Sequence, residues 1–511
     1  MLARVYSGAV FGVDAYPVEI EVNAGHGDPQ VVIVGLPDAA VKESKDRVYT
    51  AILNSGYTPH VGRTTINLAP ADKKKEGPSF DLPIALGMLH ATGEMKSDRM
   101  GDFAIVGELA LSGEVRRVKG VLPIAMKARE SGRRGMIVPS ENAEEAAVVE
   151  GLEVYPVRTL RQAADFLAGD LVQQPVTVNM SDYCTPHDEH EDDFADVKGQ
   201  EQAKRALEVA VAGGHNVLMV GPPGTGKTML AKRIPSILPE MTLEEALETT
   251  KIHSIAGTLK AHAALIARRP FRSPHHTISD AGLLGGGAHP MPGEVSIAHR
   301  GVLFLDELPE FHRNVLEVLR QPLEDGVVTI ARAAASVTFP CSFMLVAAMN
   351  PCPCGYFGDP RRECRCSQTQ IQNYRNKISG PLLDRIDIHI EVPSVRYQEL
   401  SSLARGETSA AIRGRVMATR QAQRDRFRGL RKLHSNAGMG SRQIQKYCTL
   451  EPDAQEVLKM AISDLNFSAR AYDRILKVAR TIADIEGSAT ICTHHVAEAI
   501  QYRTLDRNLW R

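Results

Sequence analysis

The stretch GPPGTGKT at residues 221–228 constrains the fold more than any other feature of this chain. It fits G-x-x-x-x-G-K-[ST], follows the apolar run NVLMV and precedes a helical pattern. That order predicts strand, loop and helix, the unit of an α/β core with a parallel sheet. Gly221, Gly224 and Gly226 let backbone N–H groups wrap phosphate oxygens with no Cβ in the way, and the helix N-terminus adds the positive end of its dipole. Thr225 belongs to the same nucleotide-binding loop. Lys227 is expected to neutralise the β- and γ-phosphates of ATP, and Thr228 to ligate Mg²⁺.

Two further apolar runs carry polar residues at their C-terminal ends, where α/β sheets place ligand groups. VLFLDEL ends in Asp306 and Glu307. Asp306 is expected to hold Mg²⁺ through water and Glu307 to polarise the attacking water. Without the glycine loop they would read as an acidic pair at a helix N-terminus. LVAAMNP ends in Asn350, whose amide is placed to orient the same water; its bland alternative is a turn residue.

The rest of the chain divides by composition. Residues 1–170 mix strands such as VEIEV and TTINLAP with helical stretches such as FDLPIALGMLHATG, an α/β domain of its own. Residues 171–194 are polar and increasingly acidic, and read as a linker; His187 and His190 there have nothing to fix a metal geometry. Residues 195–395 form the phosphate-loop core, and residues 396–511 are helical. With 43% hydrophobic residues and a net charge of −1, the chain supports real cores and is no globally basic nucleic-acid binder. No apolar run is long enough to span a bilayer and the N-terminus lacks a secretory pattern, so no membrane association and a cytoplasmic location are expected.

GPPGTGKT, LFLDE, AAMN, GPLLDRIDIHIEV and NFSARAYDRILKVARTIADIEG together resemble the AAA+ ATPases of the magnesium-chelatase-like branch, and within it the competence-associated YifB/ComM family. The likeness extends over nearly the whole chain. It implies a Lon-like α/β N-terminal domain, an AAA+ core and a C-terminal helical lid, assembled as a homo-hexamer with ATP sites between subunits. Arg385 in LLDRID matches the arginine finger; the alternative is an ordinary ion pair with Asp384 or Asp387. Arg470 matches the second sensor arginine, with Arg474 one turn later as its fallback. The hairpin LEDGVVTIARAAASVTFP matches an insertion that enters the ring pore, which makes Arg332 a DNA-contact candidate. FRSPHHTISDAGLLGGGAHPMPGEV is assigned to a second pore loop; His275 and His276 are adjacent and poorly placed to share one ion.

KKKEGPSFDLPIALG resembles the serine segment of Lon proteases, with Ser79 at the nucleophile. The downstream likeness puts Leu122 where the partner lysine should stand, with Lys119 and Lys127 as neighbours. A serine without a base is a weak nucleophile, so an inactive peptidase fold is expected. Lys73, Lys74 and Lys75 form a basic knot that reads either as a DNA contact or as a solvated loop. The arginines between Ile412 and Leu433 read either as a phosphate-contacting stripe or as a solvated helix face. Cys352, Cys354, Cys364 and Cys366 follow Asn350 as two C-x-C pairs: a Zn²⁺ site of four thiolates, or four reduced thiols on a loop.

The resemblance implies a motor on single-stranded or branched DNA that migrates junctions during recombination, alongside recombination proteins. The competing readings are a metal-insertion motor like magnesium chelatase and a protein-remodelling ATPase.

Overall fold

The computed structural model describes residues 2–179, 192–287, 290–331, 336–395, 406–430, 433–465, 467–503 and 505. Arg332, the histidines of the acidic segment, Arg431 and Lys432 lie outside the described residues.

The chain opens with a long hairpin, β1 (Leu2–Phe11) and β2 (Asp14–Gly25), whose burial alternates over much of its length, with Ser7, Gly8 and Ala9 of β1 buried in succession. Alternation of this kind buries one face of a strand and solvates the other. β3 (Gln30–Val34), α1 (Ala39–Asn54), β4 (Arg63–Ala69) and α2 (Asp81–Thr92) follow. Then come β5 (Phe103–Ile105), α3 (Val121–Glu130), β6 (Gly135–Pro139), β7 (Glu153–Val157) and α4 (Leu160–Ala168). The seven strands form one mixed sheet in the order β3-β4-β2-β1-β5-β6-β7. α2 is buried nearly all round, so it is a core helix of this domain.

The second sheet is wholly parallel. α5 (Glu201–Gly213) leads into β8 (Val217–Val220), α6 (Lys227–Ile237) and α7 (Leu243–Ala256). Then come β9 (Phe271–Arg272), β10 (Val302–Leu305), a separate antiparallel hairpin of β11 (Val327–Ala331) and β12 (Ser336–Pro340), β13 (Met344–Met349), α8 (Gln368–Arg375) and β14 (Ile388–Glu391). The sheet order is β9-β10-β13-β8-β14. Every residue of β8, β10 and β13 is buried, as expected for parallel strands covered on both faces. β8 and β13 are neighbours, and β10 flanks β13, so the three strand ends identified from sequence open on one edge of the sheet.

The C-terminal helices are α9 (Ser409–Arg426), α10 (Pro452–Leu465), α11 (Ala469–Ile485) and α12 (Thr493–Gln501). They share a hydrophobic core with one face of the parallel sheet. A buried polar link reinforces the joint. His215, just before β8, bonds Asp387 through Nδ1 at 3.0 Å and Thr481 of α11 through Nε2 at 2.8 Å. Arg474 pairs with the same Asp387. Burial opposes the charge on Asp387, but Arg474 and His215 outweigh it and hold its carboxyl below the usual range.

The segment expected as a free tether is anchored at both described ends. Val176 donates to Val154 O at 2.8 Å, and Asp193 accepts from Ser409 N–H at 3.0 Å. The N-terminal domain also touches the core directly: Gly120 donates to Ser254 O at 3.1 Å, and the Ser254 hydroxyl bonds Glu145.

Candidate active site

The glycine loop runs from the end of β8 to Lys227, the first residue of α6. Gly221 is required by close approach, because a Cβ there would meet Val392 O at 2.2 Å. Gly224 and Gly226 take φ of +77° and +86°, a region other residues avoid. Thr225 is buried, and its hydroxyl closes the loop on Pro222 O at 3.0 Å. The loop and the first turn of α6 therefore leave backbone N–H groups for an anion, as a helix N-terminus does in general.

Lys227 folds back over this loop. Its Nζ donates to Gly221 O at 2.7 Å, Pro222 O at 2.9 Å and Asn350 Oδ1 at 3.2 Å. Burial pushes its pKa down to about 8, against the opposing pull of Asp306 and Glu307. Thr228 Oγ1 donates to Asp306 Oδ2 at 2.6 Å. A hydroxyl and a carboxylate brought together at a phosphate loop are hard oxygen donors, so the residues present fit Mg²⁺, with Thr228 as a ligand and Asp306 reaching it through water. Asp306 Oδ1 accepts the N–H of Glu307 at 3.0 Å. Glu307 has φ +52° and a half-exposed carboxylate; its Oε2 lies 3.7 Å from His276 Nδ1. The residues expected at the phosphate end thus converge from three strand ends.

The two arginines assigned by resemblance stand differently. Arg385 pairs with Glu324, not with Asp384 or Asp387, and also donates to Pro381 O at 2.7 Å. Arg470 is largely exposed and lies 3.7 Å from Asp384. Arg474, the fallback, is committed to the buried Asp387 link, which leaves Arg470 as the accessible guanidinium.

Two residues were not assigned to this site from sequence, where His276 was weighed only as a metal ligand. Gln200 sits at φ +60° before α5 and its Nε2 donates to Thr225 O at 2.6 Å, bracing the glycine loop from outside. His276 faces Glu307 while its ring lies against that of His275 at 4.1 Å. Neither carries a spacing signal; only the fold brings them in.

The two basic segments are partly engaged within the chain. Lys75 is fully buried, with Nζ on the carbonyls of Pro70 and Lys73, so the basic knot is in part a loop staple. In the arginine stripe, Arg413 pairs with Glu240, Arg415 with Glu208 and Glu407, and Arg426 with Asp484. Arg420 bonds Val211 O at 3.0 Å and lines, with Arg269, Arg300 and Arg424, a cavity of about 640 Å³ behind the sheet. Among the described residues of the stripe, Arg424 and Arg428 are exposed.

In the N-terminal domain Leu122, which the Lon likeness aligns with the partner lysine of Ser79, is fully buried. The Lys119 stem packs on Gly257 of the core, and Lys127 pairs with Glu130 at 3.0 Å.

A second cluster, Glu486, His494 and His495, has metal-like proximity. His495 Nδ1 already accepts the Cys492 N–H at 2.9 Å, so its Nε2 carries the proton donated to Glu486. That bond pattern makes it a helix-capping network.

The parallel sheet, the glycine loop and the residues that converge on it define a P-loop ATPase of the AAA+ class. Family models described as "Magnesium chelatase, subunit ChlI", "Subunit ChlI of Mg-chelatase" and "Magnesium chelatase, subunit ChlI C-terminal" match residues 193–400, 20–142 and 406–503. Competence protein ComM of Haemophilus influenzae is 45% identical over 99% of this chain and 98% of its own length. Protein YifB of Escherichia coli is 44% identical over 99% and 98%. Lon protease 2 of Bacillus subtilis is 34% identical over 31% of each chain. The chain belongs to the YifB/ComM family of magnesium-chelatase-like AAA+ proteins. No helix among the described residues is long and apolar enough to cross a membrane.

Proposed function

We propose that this protein is the subunit of a cytoplasmic, ATP-driven hexameric motor that acts on branched or single-stranded DNA during competence-linked recombination. Full-length similarity to a competence protein carries the DNA part of this reading, and the Lys227–Asn350 and Thr228–Asp306 contacts carry the ATPase part. In it, residues 1–170 are a proteolytically silent Lon-like domain, 171–194 a connector, 195–395 the motor and 396–511 the lid.

The chemistry follows from charge placement. The glycine loop and Lys227 bind the β- and γ-phosphates. Thr228 directly and Asp306 through water would hold Mg²⁺, which would supply charge neutralisation for the phosphates. Glu307 accepts a hydrogen bond from the attacking water and turns its lone pair toward the γ-phosphorus. Asn350, fixed at one end by Lys227, orients the same water. Arg385 of a neighbouring copy neutralises charge as the terminal phosphoryl group departs, and Arg470 reports the nucleotide state to the lid. The cysteine cluster takes Zn²⁺. Candidate partners are DNA and recombination proteins.

A metal-insertion motor is the second reading, favoured by the chelatase family models. A three-strand junction assay separates the two. ATP-dependent strand migration, abolished by Lys227→Ala, is expected. Full ATP turnover that no DNA substrate stimulates, with no migration, would defeat the DNA reading.

A further inference from the structure

The loop between Cys352 and Cys366 contains no helix or strand. It is nevertheless folded so that its four sulfurs lie within 4.8 Å of one another. Cys352 Sγ is 3.3 Å from Cys354 Sγ and 3.7 Å from Cys364 Sγ, and Cys354 Sγ is 3.6 Å from Cys364 Sγ. A disulfide would need about 2.05 Å, and all four cysteines are free. Four thiolates at ~2.3 Å from one tetrahedral cation stand about 3.8 Å apart, close to the separations seen. The Phe357 N–H points at Cys352 Sγ at 3.4 Å, a donor suited to a thiolate. Four soft sulfur ligands and no oxygen or imidazole select Zn²⁺ over Mg²⁺ or Ca²⁺.

The same loop leans on the phosphate loop. Gly355, at φ +86°, lies so close to Pro223 that a Cβ would stand 2.6 Å from Pro223 Cδ. Pro223 is the third residue of GPPGTGKT. On its other side the cluster begins two residues after Asn350, which bonds Lys227 at 3.2 Å. Pro351, between them, is held by Arg375 Nε on its carbonyl at 3.2 Å. The cluster therefore touches the nucleotide site at two points, Pro223 and Asn350.

We propose that Zn²⁺ bound by Cys352, Cys354, Cys364 and Cys366 clamps this loop against Pro223 and Asn350, so that metal occupancy sets nucleotide affinity. The clamp rests on reading the glycine loop as the ATP site. The metal replaces the secondary structure this segment lacks: it closes the loop with bonds that water does not compete for, and the closed loop fixes Pro223.

The test uses the full chain, dialysed and analysed for metals, with a fluorescent non-hydrolysable ATP analogue as the nucleotide probe. About one zinc per chain is expected. Removing it with a zinc-selective chelator, with Mg²⁺ in excess, should weaken the analogue at least tenfold while helical circular dichroism is retained, and Zn²⁺ alone should restore it. Cys364→Ser with Cys366→Ser should lose both metal and affinity; Gly355→Ala should keep the metal and weaken the analogue several-fold. Folded protein without zinc, or with iron in its place, overturns the site. Zinc-free protein that binds the analogue as tightly as the loaded form overturns the clamp. Loaded protein that binds no nucleotide overturns the ATP reading itself, and the metal content distinguishes that failure from the first.

Discussion

Two regions of this molecule carry the residues of a catalytic apparatus, and only one carries their arrangement. In the AAA+ core, residues far apart in sequence close on one another: Lys227 reaches Asn350, and Thr228 reaches Asp306. In the Lon-like domain Ser79 keeps its place in a short turn, but the Lon likeness aligns its base with the buried Leu122. A nucleophile without a base is a hydroxyl group, whereas a phosphate loop with its cation ligands is a working site. On the proposed reading, a domain keeps its sheet for packing after losing its chemistry. The packing is visible in the Lys119 stem, which lies against Gly257 of the core.

The sharpest attempt to break the contrast is Arg385→Ala, which should lower ATP turnover by about 10³–10⁵ in assembled protein if the guanidinium acts across subunits. Unchanged turnover in a steady-state phosphate assay would remove the ring-site part of the contrast. Glu307→Gln should cost ~10²–10³ in turnover while leaving binding of the nucleotide analogue intact, since it alters only the group facing water. pH gives a smaller effect. Lys227 in the nucleotide-free protein titrates near 8, below the ordinary lysine value, and phosphate favours its charged form. Affinity for ATP should be flat below about pH 7 and fall through 8, to roughly tenfold weaker at pH 9, as binding comes to require proton uptake. Calorimetry in buffers of different ionisation enthalpy reads that proton directly. At the small end, Ser79→Ala should change neither ATP turnover nor stability by more than about 0.5 kcal/mol. Leu122→Lys should lower the melting temperature without producing peptidase activity, because a charge is placed in a fully buried site.

Legibility followed the range of the interactions. The glycine loop, Asp306, Glu307 and Asn350 are readable because each depends on a strand end and the residues next to it. Their convergence needs only the rule that parallel strands deliver their C-terminal ends to one edge. The pairing inside the arginine stripe was not legible for the opposite reason. Arg413, Arg415 and Arg426 are met by Glu208, Glu240, Glu407 and Asp484, partners that no local pattern announces. Lys75 looked like a surface cation because its burial depends on how the loop folds onto its own carbonyls. Gln200 and His276 were not assigned to the site from sequence because they approach it from neighbouring elements, with one backbone at positive φ and one side chain 3.7 Å from Glu307 as their only marks.

Arg385 is not idle in the single chain; it is held by Glu324, a carboxylate 61% exposed. An ion pair with so wet a partner is worth about 0–1 kcal/mol, while a triphosphate offers a far denser charge. The guanidinium is thus held by a weak internal partner, one that a nucleotide on a neighbouring copy would displace on the proposed reading. In the proposed ring, that makes cohesion a function of fuel: empty interfaces relax to that partner and loosen, and charged ones recruit the arginine and tighten.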